Sequence, residues 1–136
     1  MADNVKILVV DDDPDIRTVL TALLESKGYQ VVTASDGKEG LDSLKAEKPN
    51  LMILDLLMSE MDGFAVMKKL KDPRWAKYAN IPIMVLTSIR EDASRRRYEL
   101  ETGITMDVDD YIEKPINPPV VLDRVEKLLK STKTVS

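Results

Sequence analysis

The feature of this sequence that most constrains its fold is a regular alternation of short apolar runs with helical patterns. The apolar runs are bounded by polar residues, as expected of strands that are buried on both faces of a sheet. They lie at residues 7–10, 31–34, 51–54, 81–86 and around 111–112. The segments between most of them repeat apolar residues at helical spacing. This alternation predicts an α/β domain, in which a doubly wound parallel sheet carries helices on both faces.

The helices can be placed from capping residues and apolar positions. Asp13 can cap a first helix with Pro14 at its first position, and Gly28 follows the end of that helix. Further helices are predicted at residues 38–46, after a turn at 61–63, at 91–101 and from Pro118 onward, with a loop at 71–80. Residues 131–136 resemble a flexible tail. We therefore expect a single domain over 1–136, with its core at about 5–130.

Composition excludes several classes of protein. Of the 136 residues, 43% are apolar and 32% are charged, a balance typical of one globular domain. The formal net charge of −4 argues against direct binding to nucleic acid. No apolar stretch approaches the roughly 20 residues of a membrane span, and the first residues do not resemble a signal peptide. We expect a cytoplasmic protein that contacts no membrane.

The chain contains neither cysteine nor histidine. Their absence excludes disulfides, thiol catalysis, the usual zinc sites and a Ser-His-Asp triad. It also means that the chain cannot itself be a phosphohistidine donor. The chemistry left to it belongs to carboxylates, hydroxyls and lysines.

Reactive side chains follow four of the predicted strands: Asp11 and Asp12, Asp55, Thr87 and Lys114. Right-handed crossovers place all these strand ends at the same edge of a parallel sheet. Taken singly, an acidic residue after a strand is more often a helix cap or a solvated turn. Together, several close carboxylates need a cation or a proton among them. The pattern therefore predicts a metal-dependent acidic pocket in which one aspartate is placed to react.

The ordered set of motifs resembles the receiver domains of bacterial response regulators. The resemblance covers nearly the whole chain and lies in residues 6–12, Asp55-Leu56-Leu57-Met58, Met61-Asp62-Gly63, Val85-Leu86-Thr87 and residues 109–115. It implies a flavodoxin-like (βα)5 fold with strand order 2-1-3-4-5 and five helices. Its implied function is phosphoryl transfer in signalling rather than enzymatic turnover of a separate substrate.

The resemblance also implies a role for each site residue. Asp55 would be the phosphoacceptor that forms an acyl phosphate. Mg²⁺ would be bound directly by Asp12, by Asp55 and by the backbone carbonyl of Leu57, with Asp11 holding a metal-bound water. Lys114 would pair with a phosphoryl oxygen, and Thr87 would donate a hydrogen bond to another. The Lys114–Pro115 peptide bond is expected to be cis.

The implied output is a conformational switch. Thr87 would move toward the phosphoryl group and Tyr111 would turn inward, which would change the face formed by the fourth helix, fifth strand and fifth helix. The alternative for Tyr111 is simple packing of a strand aromatic on a helix. The implied partners are a histidine kinase or histidine phosphotransfer protein and a downstream protein target. We expect a stand-alone domain that is a monomer or a phosphorylation-dependent dimer.

Several positions depart from the family pattern or modify it. Ser59 stands where proline is usual, and Ser88 stands where alanine is usual beside Thr87. Residues 100–108 form a longer connection than expected before the fifth strand. Leu57 and Ile89, which flank the path of the hydrolytic water, are both apolar. We hypothesise that they exclude water and lengthen the life of the aspartyl phosphate.

Two other functions remain open at this point. Asp11 and Asp13 have the Asp-x-Asp spacing of a small haloacid-dehalogenase-type phosphatase, although that interpretation leaves Asp55 without a role. A receiver fold used only for docking is the third possibility. The basic run 95–97 is interpreted as a solvated helix face, and Trp75 and Tyr78 are expected to pack locally.

Overall fold

The computed structural model describes residues 4–56, 58, 61–87, 96–97, 99–100 and 109–135, with side chains as far as residue 130. Five parallel strands form one sheet in the order β2-β1-β3-β4-β5, which confirms the predicted topology. The strands are β1 (Lys6–Val10), β2 (Gln30–Ala34), β3 (Leu51–Asp55), β4 (Ile83–Thr87) and β5 (Asp110–Glu113).

Four α-helices have defined ends within the described ranges. They are α1 (Pro14–Glu25), α2 (Gly37–Glu47), α3 (Gly63–Leu70) and a C-terminal helix (Pro118–Val135). Most of the helix predicted at 91–101 lies outside the described residues, and the four residues described there are helical. The predicted long connection at 100–108 also lies outside them, apart from Leu100. No helix in the described part of the chain is both long enough and apolar enough to cross a bilayer.

Local sequence signals fix the ends of α1. The Asp13 carboxylate accepts a hydrogen bond from the backbone N–H of Asp15 at 2.9 Å, and Pro14 occupies the first turn. After the helix, Gly28 has a φ of 87°, a value that favours glycine. Both capping predictions are therefore confirmed.

Three predicted boundaries need correction. Residues 71–80 are not wholly loop, because Pro73–Trp75 forms one turn of 3₁₀ helix capped by Asp72. Strand β4 begins at Ile83 rather than at residue 81, since Pro82 has no N–H to give to a strand ladder. The C-terminal helix continues to Val135 because neither glycine nor proline interrupts it after Pro119. Flexibility of residues 131–136 stays a prediction.

Alternation along the strands divides the core into two layers. Leu8 and Met52 contribute to the layer that is covered by α2 and α3, whereas Ile7 and Leu51 contribute to the layer covered by α1 and the C-terminal helix. All four side chains are at most 1% exposed. Because β1, β3 and β4 are almost wholly buried, a ligand would reach these central strands at their ends.

Candidate acidic site at the carboxyl edge of the sheet

Neighbouring strands bring the predicted site residues together. Val10 of β1 lies beside Leu54 of β3, so that Asp11 and Asp55 leave the sheet side by side. Both aspartates and Thr87 at the end of β4 are buried, with exposed fractions of 0%, 1% and 6% respectively. Buried carboxylates are rare unless they are paired or hold a metal. Because Asp11 and Asp55 are buried, they are not residues of a solvated turn.

Three carboxylates at this edge could share one cation. Oxygen atoms of Asp11, Asp12 and Asp55 all lie within 4.8 Å of one another. Asp11 and Asp55 are buried, while Asp12 is exposed and closes the group on its solvent side. Among the described residues, Oδ2 of Asp11 is a buried oxygen that accepts no hydrogen bond, although Nζ of Lys114 lies 3.7 Å from it. A hard-oxygen donor set with an unsatisfied buried oxygen fits Mg²⁺ or a water molecule that Mg²⁺ holds.

Lys114 supplies positive charge to the same pocket. Its Nζ lies 3.2 Å from Oδ1 of Asp55 and 3.7 Å from Oδ2 of Asp11. The backbone N–H of Lys114 donates to the carbonyl of Thr87 at 2.6 Å, which fixes the residue at the end of β5. The Lys114–Pro115 peptide bond is cis, as predicted. The ammonium group therefore lies beside both buried carboxylates and offsets part of their negative charge.

Burial raises the pKa of the Asp11 carboxyl above its ordinary value of 3.8. Charges on Asp12 and Asp13 raise this pKa further. The hydrogen bond from the Asp13 N–H and the charge of Lys114 act in the opposite direction without cancelling the effect of burial. An ionised Asp11 therefore costs the folded protein free energy when no cation is bound.

This cost predicts that Asp11→Asn stabilises the metal-free protein, by about 1–2 kcal/mol at neutral pH. The folded state binds the Asp11 proton more tightly than the unfolded state does. The contribution of Asp11 to the free energy of unfolding of the wild type therefore falls as the pH rises from 3.8, its ordinary pKa, through its raised pKa in the folded state. The extra stability of Asp11→Asn should vanish at pH values below both pKa values of Asp11 and reach its full size at pH values above both.

Urea unfolding from acid to neutral pH measures this difference. Asp12→Asn is the matched control, because it removes a charge from the same cluster at an exposed position and should change stability less. An Asp11→Asn protein that is less stable than the wild type at neutral pH would contradict the account.

Two residues that the sequence did not single out help to shape the pocket. Arg17 on α1 donates from Nη1 to the backbone carbonyl of Asp11 at 2.6 Å and so holds the Asp11-Asp12 segment in place. The N–H of Gly37 donates to the carbonyl of Met61 at 2.8 Å, and a Cβ at this glycine would lie 2.4 Å from the same oxygen. The N-terminus of α2 thus rests against the segment that precedes α3. Only the position of Arg17 one turn after the cap Asp13 could have suggested its role.

The segment after β3 returns closely to the sheet. The N–H of Gly63 donates to the carbonyl of Leu56 at 2.9 Å, and a Cβ at Gly63 would lie 2.5 Å from the carbonyl oxygen of Asp55. Asp62 caps α3 by accepting from the N–H of Ala65 at 2.9 Å. The Met61-Asp62-Gly63 motif therefore combines a cap with a position where only glycine fits, directly against Asp55.

Some predicted site residues cannot be placed. Leu57 and Ile89, as well as the departures Ser59 and Ser88, lie outside the described residues. Tyr111 is half-buried and packs against the core layer that includes Leu8 and Met52. Its role as a switch stays a prediction. Trp75 and Tyr78 do pack locally, with ring centroids 5.6 Å apart in an edge-to-face arrangement.

Comparison with known proteins identifies the family. Residues 7–126 match the response regulator receiver domain. The chain belongs to this family. The receiver domain is 41% identical over 127 residues to the probable transcriptional regulator ycf27 of Cyanophora paradoxa. It is 39% identical over 127 residues to the alkaline phosphatase synthesis transcriptional regulatory protein PhoP of Bacillus subtilis. Each alignment covers 93% of this chain and 49% of the relative, so the chain spans about half the length of these proteins.

Solved structures agree with this assignment. The chemotaxis protein CheY4 of Vibrio cholerae superposes on the receiver domain with a TM-score of 0.73 and 29% identity, covering 91% of this chain and 98% of that one. A receiver domain protein from Methanospirillum hungatei gives a TM-score of 0.76 and 27% identity over 97% of this chain and 98% of that one. The flavodoxin-like fold predicted from the motifs is thereby confirmed.

Proposed function

We propose that this receiver domain accepts a phosphoryl group on Asp55 in a Mg²⁺-dependent reaction. The observation that carries the proposal is the position of Lys114, whose Nζ lies within 3.7 Å of both Asp55 and Asp11 at the edge of the acidic group. The expected donor is a histidine kinase or a histidine phosphotransfer protein, because the chain contains no histidine of its own. The chain then acts as a signalling phosphoacceptor rather than as an enzyme with a separate substrate.

Each described residue has a definite task in this reaction. A carboxylate oxygen of Asp55 attacks phosphorus, the bond from phosphorus to the donor nitrogen breaks, and an acyl phosphate forms. Lys114 moves its ionic contact from the Asp55 carboxylate to a phosphoryl oxygen, and the hydroxyl of Thr87 donates to another. Asp11, Asp12 and Asp55 would hold Mg²⁺. The resemblance to the family adds the backbone carbonyl of Leu57, a residue outside the described ones. When bound, Mg²⁺ supplies positive charge that offsets the charge of the phosphoryl oxygens.

The phosphatase alternative fits the geometry less well. It requires the Asp13 carboxylate to act as a general acid and base, yet this group caps α1 by accepting from the N–H of Asp15 at 2.9 Å. The backbone N–H of Asp13 donates to Oδ1 of Asp11, the nucleophile in that scheme, at 2.9 Å. Asp55, by contrast, is buried beside a lysine and has no task in a phosphatase.

The proposed output is a change in the face that includes Tyr111 and the C-terminal helix, recognised by a downstream protein. Asp110 on β5 and Arg124 on the C-terminal helix already join these elements, with Nη1 of Arg124 2.8 Å from Oδ1 of Asp110. A shift at β5 would therefore be transmitted to the helix. Cytoplasmic location, and a monomer or phosphorylation-dependent dimer, stay predictions.

Replacing Leu57 and Ile89 together by polar residues should accelerate loss of the phosphoryl group, by roughly tenfold, because water would then enter the site more readily. Retention of label on the isolated phosphoprotein over time measures this rate. Leu56→Ile, a change at a fully buried neighbour that keeps the site apolar, is the control. An unchanged rate in the double variant would remove the water-exclusion hypothesis.

Beryllofluoride with Mg²⁺ tests whether the domain switches at all. This analogue of a phosphoryl group should shift backbone amide signals around Asp55, Thr87, Tyr111 and the C-terminal helix. Amide spectra suit this purpose better than the fluorescence of Trp75, since α3 carries the chain back to the opposite edge of the sheet before Trp75. Shifts confined to the acidic site, or no shifts, would favour a domain used only for docking.

A further inference from the structure

A cavity lies at the edge of the sheet opposite to the acidic site. We name it the basal cavity. It has a volume of about 310 Å³ and is lined by Leu44, Lys48, Pro49, Lys77, Tyr78 and Ile81. Helix α2 begins near the acidic site, so its C-terminal end reaches this edge and meets the chain that enters β4. The volume falls at the small end of the range of ligand pockets.

The floor of the basal cavity is apolar and aromatic. Leu44 is 1% exposed and Pro49 is buried, while Tyr78 and Ile81 are half-buried. The ring of Tyr78 meets the ring of Trp75 edge to face, and Trp75 is 8% exposed. These contacts hold the aromatic side of the cavity in a fixed position. Nζ of Lys77 lies 5.0 Å from the centroid of the Tyr78 ring, so a group that packs beside this ring also meets an ammonium group.

The rim of the cavity carries positive charge. Lys48 and Lys77 line it, and Nζ of Lys45 lies 4.8 Å from the centroid of the Trp75 ring beside it. Among the residues that the structure describes, no carboxylate forms a salt bridge with any of these three lysines. The nearby Glu47 is already paired with Lys6 at 2.9 Å. This concentration of cations stands out in a chain whose net charge is −4.

Lys48 also has a backbone conformation that lysine rarely adopts. As the C-cap of α2 it has a φ of 47° and a ψ of 61°, in the left-handed region where glycine is the usual residue. A lysine therefore lies on the cavity rim at a position where glycine would adopt the backbone conformation at a lower cost in free energy. Non-glycine residues in this region are uncommon, and strained residues cluster at functional sites.

From the apolar floor, the cationic rim and the strained Lys48, we infer that the basal cavity binds a small organic anion with a flat apolar body. An aromatic carboxylate has this chemistry. Its ring would lie against Tyr78 and Leu44, and its carboxylate would face the ammonium groups of Lys48 and Lys77. This site is independent of Asp55 and of the proposed phosphoryl transfer.

Titration of the ¹⁵N-labelled metal-free protein with 2-naphthoate tests the inference. Saturable amide shifts are expected at residues 44–48 and 77–81, and not at the acidic site. The neutral analogue 2-naphthamide should bind about fivefold more weakly, the effect of one charge contact near a protein surface. Absent, unsaturable or scattered shifts would overturn the site. Equal binding of the two probes would overturn its specificity for anions.

Variants separate a binding role of the lysines from a structural one. Lys48→Gly should weaken naphthoate binding about fivefold while raising the midpoint of thermal unfolding, because the cation is lost and the backbone strain is relieved. Lys77→Glu should weaken binding at least as much. Lys71→Glu makes the same charge change at an exposed position that does not line the cavity and should leave binding unchanged. Equal losses in Lys77→Glu and Lys71→Glu, or unchanged binding in Lys48→Gly, would overturn the inference.

Discussion

Asp55→Asn is expected to abolish labelling of the protein by a small phosphodonor such as acetyl phosphate. The amide has no nucleophilic oxygen of comparable strength and cannot form an acyl phosphate. Loss of a nucleophile costs on the order of 10³-fold or more in rate. Quantifying the radioactive label retained by the protein in the presence of Mg²⁺ measures the effect.

Two further variants make this experiment decisive. Asp42→Asn removes one exposed carboxylate from α2 and should leave labelling unchanged. Asp11→Asn should slow labelling without abolishing it, because in the proposed mechanism Asp11 acts on the metal and not on phosphorus. If Asp11→Asn removed all labelling while Asp55→Asn retained it, the phosphatase interpretation would replace the receiver mechanism.

Removal of Mg²⁺ is the second change with a large expected effect. The three carboxylates within 4.8 Å of one another and the unsatisfied Oδ2 of Asp11 carry more negative charge than Lys114 alone offsets. An incoming phosphoryl group adds further negative charge. Chelation with EDTA should therefore slow labelling by roughly 10²–10³-fold, comparable to the loss of one major electrostatic contact in an enzyme active site.

Restoring a divalent ion provides the control for chelation. Mn²⁺ should recover labelling because it accepts the same oxygen ligands, whereas KCl at equal ionic strength should not. Asp12→Asn should raise the Mg²⁺ concentration needed for half-maximal labelling. Labelling that is indifferent to EDTA would contradict the assignment of the acidic group as a metal site.

The strand positions and the meeting of the site residues could be predicted because they depend on simple rules. Apolar runs such as residues 51–54 must be buried on both faces, and right-handed crossovers then bring their carboxyl ends to one edge. Asp11 and Asp55 accordingly leave neighbouring strands. The strand order came from the resemblance of the motifs to the receiver family, because the hydrophobic pattern alone does not determine it.

Features that depend on tertiary packing could not be predicted. Asp11 is buried and its neighbour Asp12 is exposed, although the two carboxylates are adjacent in sequence. The contact of Arg17 with the Asp11 carbonyl depends on how α1 packs on the sheet, and the burial of Trp75 depends on a 3₁₀ turn within a polar segment. The basal cavity forms where segments distant in sequence meet, so no local sequence pattern predicts it.

The most direct test of the central claim is to locate the phosphoryl group in the wild-type chain. The protein is labelled with acetyl phosphate and Mg²⁺, reduced with borohydride to convert an aspartyl phosphate into homoserine, digested and sequenced by mass spectrometry. We expect homoserine at position 55 and aspartate at positions 11, 12 and 13. Homoserine at Asp11, or a phosphoryl group that survives on a serine or threonine, would contradict it.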